Sequence, residues 1–181
     1  MTHTLTTPRL RLRQLRPADA PRMQVLCGNL NVSRMLEVVP HPYPDGLAEE
    51  WITTRPTAWR DGTLYTFAIE FAGEFIGVIG IERQDSGDHA IGYWLGEPWW
   101  GQGLMSEAVT CAIDFARDEL GLQKLVSAYF ADNAASGRIQ EKHGFRVTGH
   151  GRLPSLARGQ DVDGVYTVLH LGNATESAAA L

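Results

Sequence analysis

Hydrophobic and polar positions change rhythm several times along this chain, and each change marks an element. Over residues 9–15 leucine and arginine alternate at period two, the pattern of a strand with one buried and one wet face, and its three arginines read as a solvated row. Residues 19–30 follow as a helix entered through Pro17 and Asp19. VVPHPYPDG (38–46) holds three prolines and a glycine and reads as a loop. Residues 47–60 set Leu47, Trp51, Ile52 and Trp59 at helical spacing, which predicts a second, amphipathic helix. LYTFAIEF (64–71) and EFIGVIGIE (74–82) are apolar runs joined by Ala72 and Gly73, a hairpin signature. After the polar turn RQDSGDH (83–89), AIGYWLG (90–96) adds a third consecutive strand. The middle of the chain is therefore an antiparallel meander.

The rhythm then shifts to 3.6. Leu104, Ala108, Cys111, Ala112, Phe115 and Ala116 share one stripe of a helix over 104–120 that Gly121 stops. KLVSAYF (124–130) is again a strand, so 90–130 forms a strand, helix, strand unit whose outer strands can run parallel. A short helix over 136–143 ends at Gly144, and strands at 145–148 and 164–171 complete the sheet. The expected fold class is α/β: one domain over 1–172 built on a mixed, mostly antiparallel twisted sheet of about seven strands flanked by helices, with 173–181 a flexible tail.

Composition narrows the partners. The chain has 181 residues and 44% hydrophobic content, enough for one sizeable core and too little for two. A formal charge of −5 argues against nucleic acid held by bulk electrostatics. Cys27 and Cys111 stand far apart, with no CxxC pair and no zinc-like His spacing, so the expectation is a reduced, cytoplasmic protein with no metal. No apolar run has the length of a signal peptide core or a membrane span. A homodimer through an exposed strand or helix pair is compatible with this pattern.

Candidate chemistry concentrates in WWGQGLMSEA (99–108), where Gly101 and Gly103 sit in a strand-to-helix turn. Free backbone amides and the helix dipole at such a turn attract an anion such as phosphate, although glycines there also serve geometry alone. A dinucleotide-binding turn fails on detail. Ser106 stands where the third glycine belongs, and Asp118 and Glu119 fall at a helix end rather than at a second strand tip.

Together with DNAASGRIQEKHGF (132–145), this turn resembles the GNAT superfamily of N-acetyltransferases, in the branch typified by the ribosomal-protein alanine acetyltransferases RimJ and RimL. The likeness runs from TPRLRLRQL to YTVLHL and is dense in IGYWLGEPWWGQGLMSEA. It implies a GNAT-like fold with a splayed strand pair at the site, acetyl-coenzyme A as donor, and a primary amine as acceptor. The family's pyrophosphate-binding turn maps onto Trp100, Gly101, Gln102, Gly103, Leu104 and Met105. Trp100 stands where the wider pattern has Arg or Gln, and Met105 replaces a small residue, leaving its amide free but crowding the loop. The amides of Gln102, Gly103, Met105 and Ser106 would hold phosphate, with Gly101 as turn former.

In the family the preceding strand splays from its parallel neighbour and bonds the pantetheine arm. Tyr93, Trp94 and Leu95 occupy it here, and an amide near Leu95 could hold the developing oxyanion. Read from residues alone, YWL is equally a buried strand. The resemblance assigns Asn133 to the coenzyme arm and Ser136 to the departing sulfur, as a general acid. Helix capping is the other role open to both. Many relatives place a Tyr four residues on; Gln140 stands there, so Ser136 or water must give the proton. Glu82 and His89, at strand ends, are candidate bases as well as ordinary solvated residues. Glu107 reads as support for its helix end, and His143 and His150 as loop residues. The resemblance gives the acceptor side to 38–46 and the early helices, with Met35, Tyr43, Trp51 and Trp59 as candidate lining, although aromatic residues at helical spacing are more often core. A protein N-terminus, a small-molecule amine, or a catalytically silent coenzyme binder all remain open.

Overall fold

A computed structural model of the protein describes residues 3–172, so the expected tail at 173–181 lies outside the described residues. The elements are β1 (Thr4–Thr6), β2 (Leu10–Arg13), α1 (Ala20–Gly28), α2 (Leu30–Ser33), α3 (Leu47–Arg60), β3 (Leu64–Phe71), β4 (Glu74–Arg83), β5 (His89–Leu95), α4 (Leu104–Asp118), β6 (Lys124–Phe130), α5 (Ala134–Lys142), β7 (Arg146–Leu153) and β8 (Val162–His170). They build one eight-stranded sheet in the order β1-β2-β3-β4-β5-β6-β8-β7. Every neighbouring pair is antiparallel except β5 and β6, the ends of the strand, helix, strand unit. The additional strand is β1, whose three residues TLT are too few to show an alternation. Strand β7 also runs on past the expected limit, through GHGRL to Leu153, because glycines and a register shift between Val147 and Gly149 interrupt its apolar pattern.

The two faces are covered separately. Helix α4 buries Leu104, Met105, Ala108, Val109, Ala112, Phe115 and Ala116 against Leu12, Phe67, Ile69, Ile79, Ile81, Ile91 and Leu95. The other face receives α1 and α3, which place Met23, Leu26, Cys27, Ala48 and Ile52 over Ala68, Phe75 and Val78. Alternation along β4 slips at Ile76. Ile69 pairs with Gly77 and Glu70 with Phe75, so Ile76 is an extra residue and the strand kinks there. Beside the kink, a Cβ on Gly77 would stand 2.3 Å from the Trp94 carbonyl oxygen, so only glycine lets β4 approach β5 this closely.

One expectation is corrected in this framework. The arginine row is not uniformly solvated: Arg13 is 5% exposed. Its two Nη atoms donate to the Asp19 carboxylate, each at 2.8 Å, and its Nε donates to Glu70 at 2.7 Å. The Asp19 hydrogen bond, outweighing burial, holds the Arg13 guanidinium above its ordinary pKa. Asp19 therefore opens the first helix without capping it by its side chain. Of the two readings of Trp59, pocket lining and core, the structure takes the core. The Trp59 ring stacks edge-on to Phe67 at 5.0 Å and Tyr65 at 5.3 Å, sealing the α4 core rather than an acceptor cleft.

Candidate active site

The site begins where two parallel strands part. β5 and β6 share the ladder pair Ala90 and Val126 and then diverge. Gly96 N–H donates to Ile76 O at 2.8 Å, which fixes the phase of the β4–β5 ladder. That phase turns the N–H and C=O of Ile91, Tyr93 and Leu95 toward β6. Ser127 Oγ donates to Ile91 O at 2.9 Å, and the Trp100 indole Nε1 donates to Leu95 O at 2.7 Å. The Leu95 N–H and both backbone groups of Tyr93 are thus left facing the gap. Trp94 points the other way: its backbone pairs with Val78 and its ring packs on Phe75, so it is removed from the gap-lining set.

Beside the gap stands the start of α5. Asn133 caps the helix, its Oδ1 accepting from Ser136 N–H at 3.1 Å. The Ser136 hydroxyl is thereby released from capping, and it lies 3.1 Å from Tyr93 Oη. Burial pushes the Tyr93 phenol above its ordinary pKa, while Ser136 and Gln140 beside it pull back. Tyr93 was expected through its backbone only. Its hydroxyl was legible in principle, because IGYWL at period two puts Tyr93 on the face of Ile91 and Leu95, toward α5. Gln140, at the place of the family's tyrosine, is 2% exposed and braces the structure. Its Nε2 donates to Ser127 Oγ at 3.0 Å and its Oε1 accepts from Thr167 Oγ1 at 2.6 Å, tying α5 to β6 and β8.

At the other end of the gap lies the turn. Gly101 and Gly103 adopt φ of +73° and +75°, which side chains disfavour. The Glu107 N–H closes the first helical bond, onto Gly103 O at 3.1 Å. The amides of Leu104, Met105 and Ser106 ahead of it have no helical acceptor. Such a cradle fits a pyrophosphate. Met105 does not crowd it, because its side chain is buried in the core. Trp100 braces the end of β5 by its indole bond, and Gln102 Nε2 folds back to Pro98 O at 3.1 Å. His143 stands in the turn after α5, as expected, whereas His150 lies within β7 and not in a loop. His143 caps α5, with its Nδ1 2.7 Å from Ile139 O and its Nε2 3.0 Å from both Ser106 O and the Thr110 hydroxyl, which links the end of α5 to the first two turns of α4.

A charged pairing that the sequence does not show closes the turn. Glu107 accepts from the Thr7 hydroxyl, from Arg9 N at 2.9 Å and from Arg9 Nε at 2.7 Å, while Arg9 Nη1 donates to Gln102 O at 3.0 Å. Although burial alone would raise the Glu107 pKa, the bonds from Thr7 and Arg9 hold it below the usual range.

The two candidate bases are not brought here. Glu82 pairs with Ala90, and His89 with Arg83, at the closed start of β5. His89 and Leu95 are six residues apart on one strand, about 20 Å at 3.3 Å per residue. Burial, then Arg83, lowers the His89 pKa. On the acceptor side, Arg158 fastens the β7–β8 connection over residues 34–37. It donates to Arg34 O at 2.7 Å and to both Asp132 oxygens at 2.8 and 3.1 Å, and its Nη2 lies 3.5 Å from Met35 Sδ. Tyr43 and Trp51 pack against the α1–α3 core, the latter under Arg55 at 4.4 Å.

Residues 9–146 match the acetyltransferase (GNAT) domain family. The chain belongs to the GNAT acetyltransferase family. Its chemistry is N-acetyl transfer from acetyl-coenzyme A. It is 30% identical over 174 residues to the [ribosomal protein uS5]-alanine N-acetyltransferase of Escherichia coli K12, covering 91% of this chain and 89% of that one. Among solved structures it superposes on RimL, a ribosomal L7/L12 α-N-protein acetyltransferase in complex with coenzyme A, with a TM-score of 0.83 at 18% identity, covering 93% and 98% of the two chains. The microcin C7 self-immunity acetyltransferase MccE, solved with acetyl-CoA and AMP, superposes with a TM-score of 0.80 at 16% identity, covering 91% and 94%.

Proposed function

We propose that this GNAT enzyme acetylates the α-amine at the N-terminus of a protein, in a single ternary complex with acetyl-coenzyme A. The observation that carries the reading is the gap between β5 and β6, which presents the Leu95 N–H and the Tyr93–Ser136 hydroxyl pair between an anion cradle and the strapped loop 34–46. The likeness to the uS5-alanine enzyme favours a peptide acceptor and a cytoplasmic substrate such as a ribosomal protein.

Acetyl-coenzyme A supplies the acetyl group as a thioester. The amides of Gly103, Leu104, Met105 and Ser106 hold its phosphates, and the Tyr93 backbone holds the arm beyond them. Leu95 N–H donates to the thioester oxygen as negative charge gathers there during attack by the neutral amine, and such donors contribute most when fixed in advance. As the carbon–nitrogen bond forms and the carbon–sulfur bond breaks, the Ser136 hydroxyl gives its proton to the sulfur. The Tyr93 phenol, kept neutral by burial, supports Ser136 by the hydrogen bond between their hydroxyls, and the proton that Ser136 gives up is restored from water, which also takes the proton released by the amine. An α-amine with an ordinary pKa of about 8 is substantially neutral near that pH, so its proton passes to water without a dedicated carboxylate.

The test is thiol release from acetyl-coenzyme A with peptides beginning in alanine or serine, set beside free amino acids and polyamines, with the product located by mass spectrometry. Acetylation of the peptide α-amine at a higher kcat/KM supports the reading. Turnover confined to free amines replaces the protein acceptor with a small molecule.

A further inference from the structure

We propose that Arg9, in the strand-like row first read as solvated, is a coenzyme-binding residue that supplies a side-chain cation to the phosphates at the α4 turn. This rests on the acetyl-coenzyme A reading of that turn. The placement of the guanidinium is the reason. Its Nε is held by Glu107 and its Nη1 by the carbonyl of Gln102, inside the turn itself. Two anchors fix the plane of the group, so little freedom is lost when a ligand arrives. Its Nη2 has no partner among the described residues, and it lies 3.6 Å from where a Cβ on Gly103 would stand. The side chain as a whole remains 45% exposed.

Charge balance gives the arrangement its purpose. Glu107 sits in the first turn of α4, where a carboxylate favours the helix but opposes an incoming phosphate. Arg9 cancels that carboxylate and turns its remaining donors outward. The Thr7 hydroxyl and the Arg9 amide donate further bonds to Glu107, directing its oxygens toward the β1–β2 turn. The coenzyme then meets free amides, a fixed cation edge and a neutralised acid. Arg9 and Glu107 are 98 residues apart in the chain, which is why alternation alone described Arg9 as solvated.

The experiment is calorimetric titration of the wild type, Arg9→Gln, Glu107→Gln and the double variant with coenzyme A and with pantetheine, at low and high salt. Circular dichroism establishes that each variant is folded. Arg9→Gln is expected to weaken coenzyme A binding about tenfold or more at low salt, because a cation is lost and an anion unmasked. Its pantetheine affinity should be unchanged, and the loss should shrink as salt rises. Glu107→Gln should bind coenzyme A at least as tightly as wild type, and the double variant should recover only the part of the loss due to the unmasked carboxylate, staying weaker than Glu107→Gln because the cation is still missing. If Arg9 serves only as a tie between β2 and α4, Glu107→Gln will weaken binding as much as Arg9→Gln with no recovery in the double variant, which overturns the proposal. Unchanged affinity in Arg9→Gln overturns it too, while leaving the coenzyme site standing. A wild type that binds coenzyme A no better than pantetheine removes both.

Discussion

Replacing Tyr93 with Phe and Ser136 with Ala, singly and together, separates a proton-handling pair from a packing contact. Tyr93→Phe removes one hydroxyl and leaves the ring in place. The bond it deletes is a neutral one of 3.1 Å between partly buried groups, worth about 0.5–1.5 kcal/mol. If the phenol supports Ser136 during proton transfer, kcat should fall about threefold to tenfold while the KM for acetyl-coenzyme A holds steady. Ser136→Ala deletes the acid itself and should lower kcat by about 10²-fold or more. The two losses should not add: in the Ser136→Ala background, Tyr93→Phe should cost almost nothing. Burial raises the Tyr93 pKa, so the phenol stays protonated through neutral pH. A wild-type loss of kcat from its ionisation belongs above the ordinary tyrosine value of about 10 and should be absent from Tyr93→Phe. Thiol-release kinetics across pH read both effects. Additive losses in kcat, or a Tyr93→Phe effect confined to KM, would refute the coupling.

Other expectations follow from single contacts. Gly103→Glu should abolish coenzyme A binding by calorimetry, since it forces a side chain into φ of +75° and sets a carboxylate where phosphate belongs; unchanged affinity removes the cradle. Arg13→Met strands Asp19 and Glu70 in a buried site, a loss of about 3–5 kcal/mol. A melting temperature lower by about 10 °C is expected for a chain of this size, and a shift within about 2 °C contradicts the buried pairing. Glu107 has a folded pKa below its unfolded one, so its contribution is present above the unfolded value of about 4.3 and lost as pH falls through the lowered folded value. Glu107→Gln should therefore flatten the acid limb of the wild-type stability curve; identical limbs in urea titrations would exclude that linkage.

How much of this was legible in the chain depends on whether a residue's role is local. The meander 64–96, the α4 stripe and the parallel return to β6 follow from periodicity, and the structure has them within a few residues. The turn around Gly101 and Gly103 was legible because positive φ is a local demand. What escaped depends on contacts distant in sequence. Arg13 is paired with Asp19 in the next element and with Glu70, 57 residues on, and period-two reasoning has no access to either partner. Arg9 likewise waits for Glu107. The hydroxyl pair joins residues 43 apart, so Tyr93 could be placed on a face but not against Ser136. Glu82 and His89 suited a base by chemistry, yet the strand carries them to the closed end of the gap. Helical spacing alone left Trp59 open between pocket lining and core, and the rings of Phe67 and Phe115 claim it for the core.

The central claim is tested most directly by mass spectrometry of an alanine-initiated peptide incubated with the protein and acetyl-coenzyme A. The account predicts one acetyl group on the α-amine, equal moles of free coenzyme A thiol, and loss of both in Gly103→Glu. A peptide that stays unmodified while a free amino acid or polyamine is acetylated would contradict the protein acceptor. No thiol release with any amine would contradict catalysis at this gap.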